Sequence, residues 1–261
     1  MTANAGTTGA VAAFLAVNRT LFARLAGGEW SESEDLVSYA SGLPVPRFNG
    51  VVVLGPRADE GTAAGWLDDL TFRGLPHAIL SRPAAPSWVG PLAAVYGLTT
   101  VEHEPFMRHA DPAAVATSAD AQAPRELVID VVDPADAEGL RTAQQLMADG
   151  FEAPVELLAP LMGAALIAAP GMCAYVGRVD GEPCTVGLGA VADGHVGAFN
   201  IATPPPFRRR GFGRAVTARI VGDGLRLGAH TAYLQSSPMG FGVYERLGFR
   251  TIETWACYYP G

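Results

Sequence analysis

Three observations predict an α/β protein in which a mixed sheet is flanked by helices. Short apolar runs such as residues 50–54 alternate with helix-period segments such as residues 58–72. Residues 172–179 and 183–191 flank Asp180-Gly181, a dipeptide suited to the positive φ angles of a hairpin turn, so part of the sheet is antiparallel. From Val196 to Leu227 a mostly apolar strand passes through a glycine-bearing turn into a helix, the unit from which layered strand and helix folds are built.

The first half reads as helix 10–26, with Phe14, Val17, Leu21 and Leu25 on one face, then strands 36–40 and 50–54, helix 58–72, strand 77–80, helix 87–96 and strand 99–102. Residues 111–124, rich in Ala, Ser, Asp and Pro, read as a linker. The second half opens with strand 127–132, followed by Asp133 as helix cap, Pro134 in the first turn and a helix to about residue 148. A helix over 155–168 carries Pro160, which would kink it. The hairpin, a turn at Ala192-Asp193-Gly194, strand 195–203, helix 214–227, strand 231–234, helix 241–247 and strand 250–258 complete the chain.

The 261 residues, 49% hydrophobic and 17% charged, are enough to bury a substantial core and too apolar for disorder. A net charge of −8 argues against a nucleic-acid partner and mildly favours a cationic amine. Three cysteines, Cys173, Cys184 and Cys257, form an odd set without metal spacing and sit in apolar runs, as expected of buried thiols in the reducing cytoplasm. The first 28 residues lack a basic leader and carry Arg19 and Arg24, so neither a signal peptide nor a membrane span is expected. The histidines show no metal spacing, and no metal site is expected.

The local exception to the acidity is Arg208-Arg209-Arg210-Gly211-Phe212-Gly213-Arg214. Orphan N–H groups and the helix dipole favour an anion at the start of the following helix, and glycines let the backbone approach it. No Gly-x-x-x-x-Gly-Lys-Ser/Thr occurs, and Val216 takes the place of the third glycine of a dinucleotide fingerprint.

Arg208-x-x-Gly211-x-Gly213 resembles the acyl-CoA signature R/Q-x-x-G-x-G/A of the GNAT superfamily of N-acyltransferases. Asn200-Ile201-Ala202-Thr203 stands where that family has its splayed fourth strand, Pro205 where it has a proline, and Tyr244-Glu245-Arg246-Leu247-Gly248-Phe249 is similar to its Y-x-x-x-GF segment. The resemblance implies a GNAT domain over 125–261 and acetyl-CoA as the acyl donor. Cofactor contacts would come from Ile201, Thr203, Arg208, Arg209, Arg210, Gly211, Phe212, Gly213, Arg214 and Ser237. Tyr244 would be the acid that protonates the departing thiolate. Residues 1–120 would be either a degenerate GNAT-like half without a cofactor turn or an unrelated α/β domain. The acceptor would be a small-molecule or peptide amine, with homodimer formation admitted. The sequence departs from the family in two places. Ser237 stands where an asparagine is common, and the strand 195–203 has no carboxylate to act as base, leaving His195, Glu152, Glu156 or a bound water. That second departure keeps open a catalytically silent acyl-CoA-binding or regulatory protein.

Overall fold

The computed structural model describes residues 3–115, 124 and 126–261. Helix α1 (Ala3–Phe22) leads to strands β1 (Glu29–Ser33), β2 (Leu36–Ala40) and β3 (Asn49–Val53), helix α2 (Glu60–Phe72), β4 (Ala78–Ser81), α3 (Val89–Val95) and β5 (Thr100–His109). Next come β6 (Leu127–Val131), α4 (Ala137–Phe151), α5 (Val155–Leu158) and α6 (Ala164–Ile167). The chain closes with β7 (Met172–Val179), β8 (Glu182–Ala192), β9 (His195–Ala202), α7 (Phe212–Arg226), β10 (Thr231–Gln235), α8 (Pro238–Arg246) and β11 (Arg250–Tyr259).

Most expected elements are present, and the departures have local causes. Strand β1, Glu-Trp-Ser-Glu-Ser, was not expected because it is almost wholly exposed and so lacks an apolar period. Helix α4 is capped by Asp136, whose side chain accepts from Glu138 N–H, whereas Asp133 accepts from Ala135 N–H in the preceding turn. The helix expected over 155–168 is broken into α5, a 3-10 turn over Ala159–Met162 begun by Pro160, and α6, with Gly163 extended between the last two. Of the expected linker, residues 116–123 lie outside the described residues; residues 112–115 are helical, and Val115 is fully buried.

Two compact units result, one of residues up to Thr20 with 107–252, the other of 21–106 with 253–261. They do not follow the linear division expected at about residue 120. Phe14 of α1 stacks on Phe199 of β9 at 6.2 Å, which ties α1 to the second half of the chain. The end of β11 instead pairs antiparallel with β4, from Ala256 opposite Ser81 to Tyr258 opposite Ile79.

In the 21–106 unit the strands run β1-β2-β3-β4-β11-β5, with β3 and β4 parallel. Leu36, Val51, Val53 and Ile79 form a core with Leu67 of α2 and Leu92 of α3. Two buried-side ion pairs, Arg47 with Glu104 at 2.9 Å and Arg82 with both oxygens of Glu253, brace the same unit. In the 107–252 unit the order is β10-β9-β8-β7-β6, antiparallel except for β9 and β10. Helix α7 packs Val216, Ile220 and Val221 on Tyr175, Val196 and Ala198. The Asp180-Gly181 turn has the expected positive φ angles, 52° and 83°.

Among the described residues no single helix is long and apolar enough to cross a membrane, and no group of three His, Cys, Asp or Glu could hold a metal ion. The cysteines are free, and burial pushes the thiols of Cys184 to about 11 and Cys257 to about 12.

Candidate active site

Strand β9 carries two irregularities that together open a slot. Opposite β8, Ala202 faces Val186 and Phe199 faces Leu188, so Asn200 and Ile201 stand against the single residue Gly187. This is a β-bulge, and Asn200 takes the left-handed conformation at φ 51° that it requires. On the other side, β9 pairs with β10 only from His195 opposite Thr231 to Gly197 opposite Tyr233. Beyond Gly197 the two parallel strands part. Backbone N–H and C=O groups on that edge are then open to an extended ligand, as at an exposed sheet edge.

The slot leads to the glycine turn. Gly211 caps α7 at φ 85°, a conformation that L side chains rarely adopt, and no side chain caps the helix there. The first-turn N–H groups therefore keep their donors for an anion. At Gly213 a Cβ would meet Ile201 Cγ2 and Thr203 Oγ1 at 3.6 Å, ordinary contact. Gly213, Ile201 and Thr203 are thus drawn together.

The expected cofactor residues take different places. Arg208 turns inward: its Nε donates to Thr203 O at 3.1 Å, and Nη2 donates to Gly150 O and Glu152 Oε1, both at 2.9 Å. It braces the turn against the end of α4. Phe212 is buried with Val179 and Cys184, and Arg210 lies over its ring at 4.7 Å. Arg209 is exposed and left-handed at φ 64°; Arg214 Nη2 passes 3.5 Å from where a Cβ at 211 would sit. Ser237 is exposed and caps α8, its Oγ accepting from Gly240 N–H at 3.3 Å.

The two carbonyl bonds of Arg208 have a measurable consequence. The Glu152 arm is exposed and adds little. Hydrogen bonds from a charged donor contribute about 1.5 kcal/mol or more each, although partial exposure discounts them, so Arg208→Ala is expected to cost about 2 kcal/mol and to lower the melting temperature by roughly 4–8 °C. Arg209→Ala, which breaks no described contact, should leave it within about 1 °C. Thermal melts of both variants decide; equal melting would remove the bracing role.

Tyr244 packs at the margin of the core cluster that includes Val216, Ala232, Leu234 and Phe249, and Ile201 borders the same cluster. Its ring lies against Gly240, where a Cβ would come within 2.8 Å of Cε2, and it meets Phe249 edge-on at 6.2 Å. Burial pushes the phenol up to about 12, so it stays protonated across any working pH.

The candidate bases are not gathered around it. His195 is buried at the first residue of β9, its Nδ1 2.7 Å from Asp193 O, at the opposite end of the strand from the turn. Glu152 is engaged by Arg208, and Glu156 is exposed in the first turn of α5. Beside the turn an open cleft of about 740 Å³ is lined by Leu146, Pro205 and Phe207 together with the carboxylates of Asp149, Glu152 and Glu182. The reading of the sequence missed the part of Gly150 and Glu152 in holding Arg208. The one local signal was the glycine near the end of a helical run.

No family model matches the chain. Over 65 residues it is 34% identical to the [ribosomal protein bS18]-alanine N-acetyltransferases of Escherichia coli (strain K12) and Shigella flexneri, 24% of this chain and 44% of theirs. The chain therefore spans less than half the length of these curated relatives. Among solved structures, a GCN5-related N-acetyltransferase from Kribbella flavida superposes with a TM-score of 0.67 at 20% identity, covering 94% of each chain. A GCN5-related N-acetyltransferase-like protein from Streptococcus suis gives 0.57 at 13% over 92% of each, and a GCN5-related N-acetyltransferase from Sphaerobacter thermophilus 0.56 at 14% over 88% of this chain and 83% of its own.

Proposed function

We propose that this chain, which has the fold of the GCN5-related N-acetyltransferases, transfers an acetyl group from acetyl-CoA directly to an amine. The observation that carries the reading is the continuity of the slot. The bulge at Asn200 and the parting of β9 from β10 beyond Gly197 lead along one strand to an uncapped helix N-terminus at Gly211. These parts fit an extended thioester with a pyrophosphate at one end. Backbone N–H groups of the turn hold the phosphates, and the free edge of β9 orients the carbonyl. The amine attacks the carbonyl carbon, the C–S bond breaks, and Tyr244 donates a hydrogen bond to the departing sulfur. A water or a carboxylate of the neighbouring cleft takes the proton of the amine.

The acceptor is a small-molecule or peptide amine. The carboxylates of the cleft suit a cation, and the curated relatives are named for acetylating an alanine of a ribosomal protein. The first half, without a second Arg-x-x-Gly-x-Gly turn, contributes no cofactor site.

The test has two parts. Native mass spectrometry should count one CoA per chain; two would mean that the first half also binds, and none would remove the cofactor reading. Thiol release from acetyl-CoA, screened against polyamines, amino sugars and peptides beginning with alanine, should then find an acceptor. One CoA bound with no thiol release on any amine would favour the silent acyl-CoA-binding alternative, which the absence of a carboxylate on β9 and the engagement of Glu152 by Arg208 keep in view.

A further inference from the structure

We propose that His109, the last residue of β5, is a positioning residue for Tyr244, holding the helix that carries it from its C-terminal end; this rests on the acyl-transfer reading above. Helix α8 has nine residues and none of them is fully buried. So short a helix is marginal by itself, and its place is decided by what ties its two ends. Ser237 ties the first end through its cap to Gly240 N–H.

His109 ties the second. The ring is 9% exposed, and Nδ1 accepts the N–H of Asp111 at 3.2 Å, which fixes the ring proton on Nε2. Nε2 faces the end of α8, where the backbone of Leu247, the C-cap residue, acts on the ring as a hydrogen-bond acceptor; its carbonyl is one of those a helix end leaves without a partner. The same ring packs against the next residue. Gly248 is left-handed at φ 91°, and a Cβ there would come within 2.4 Å of His109 Nε2. Phe249 then meets the His109 ring edge-on at 5.4 Å and the Tyr244 ring at 6.2 Å. Phe249 N–H also closes on Tyr244 O at 3.0 Å, and Gly248 N–H on Glu245 O at 2.9 Å. Imidazole, glycine, phenylalanine and tyrosine therefore form one continuous run of contacts, and a histidine from the far part of the sequence sets where the phenol stands.

The Asp111 anchor of the ring depends on its neutral form. A proton on Nδ1 would expel Asp111 N–H. Burial acts most strongly to hold the imidazole below its usual 6.5, the Asp111 carboxylate opposes that, and Arg250 adds to it. The Asp111 anchor of the ring is accordingly whole above pH 6.5 and is lost as pH falls through the lowered value, whereas the Leu247 contact favours the charged ring and remains.

Two variants and two readouts test this. His109→Ala should lower kcat about tenfold, the scale of a misplaced catalytic group, with CoA affinity within about twofold of the parent. His109→Gln, whose amide can still donate to Leu247 O, should recover part of the loss. The acid limb of kcat below pH 6.5 should be missing from the Gln variant. Hydrogen exchange needs no substrate: the protection factors of the Gly248 and Phe249 amides, corrected for the intrinsic pH dependence of exchange, should fall in His109→Ala, and in the parent on acidification. Unchanged exchange at these two amides would overturn the proposal, as would equal losses of kcat and CoA affinity accompanied by a global fall in melting temperature. If the parent is inactive on every amine, the acyl-transfer reading fails while the exchange result still decides whether His109 holds the helix.

Discussion

Tyr244→Phe is expected to slow turnover about a hundredfold while leaving CoA affinity and melting temperature nearly unchanged. The packing argument is direct. Phenylalanine keeps the ring on Gly240 and against Phe249, and the hydroxyl makes no hydrogen bond among the described residues. The magnitude follows from the acidity. A general acid contributes about 10²–10⁴-fold, most when its pKa matches its task. Here burial pushes the phenol up to about 12, well above an ordinary thiol of about 8.5, so complete proton transfer to the thiolate is uphill. In the proposed reaction Tyr244 would then act chiefly by donating a hydrogen bond to sulfur as its charge develops, which points to the lower end of that range. Rate, affinity and melting are to be measured on one preparation with an acceptor found by thiol release. A Phe variant above about half the parent rate would take Tyr244 out of the mechanism, and a fall in melting with normal turnover per folded molecule would make it a packing residue.

Gly213→Asp should abolish CoA binding and leave the fold intact or firmer. Position 213 lies in the first turn of α7, where a Cβ meets only ordinary contacts at 3.6 Å. Replacing glycine by aspartate there gains only a few tenths of a kcal/mol of helix propensity, and a carboxylate at a helix N-terminus is itself favourable by about 0.3–1 kcal/mol. The same carboxylate would compete for the N–H groups that the pyrophosphate needs. Losing two charge-assisted hydrogen bonds at about 1.5 kcal/mol each weakens affinity at least about a hundredfold. Stability and affinity thus move in opposite directions, a pattern that misfolding does not produce. Gly211→Asp is the harsher companion, because φ 85° strains any side chain and stability falls with affinity. Calorimetric titration of CoA with parallel melts is the measurement; parent-like affinity in the Gly213 variant would sink the phosphate assignment.

The parts of the fold that were legible are those whose causes lie within a few residues. Asp180-Gly181 turned a hairpin because both positions tolerate positive φ, and Gly211 broke into α7 for the same reason. Helix α2 begins at the Asp59 cap, two residues inside the expected start. Strand β1 was not legible because its exposed polar residues carry no period, and the cap of α4 went to Asp136 because Asp133 closed the turn before it.

By itself, the sequence determined the order of most strands and helices, the glycine turn ahead of α7, and Tyr244 as the residue to test, since local propensity and spacing settle these. Tertiary structure alone decided that β9 bulges at Asn200 and leaves β10 after Gly197, that Arg208 serves Gly150 fifty-eight positions away instead of pointing to a phosphate, and that His109 reaches Gly248. Each of these depends on which strand lies beside which and on where a helix end comes to rest. Register and end-to-end packing are set by the whole core at once, so no window of residues carries them.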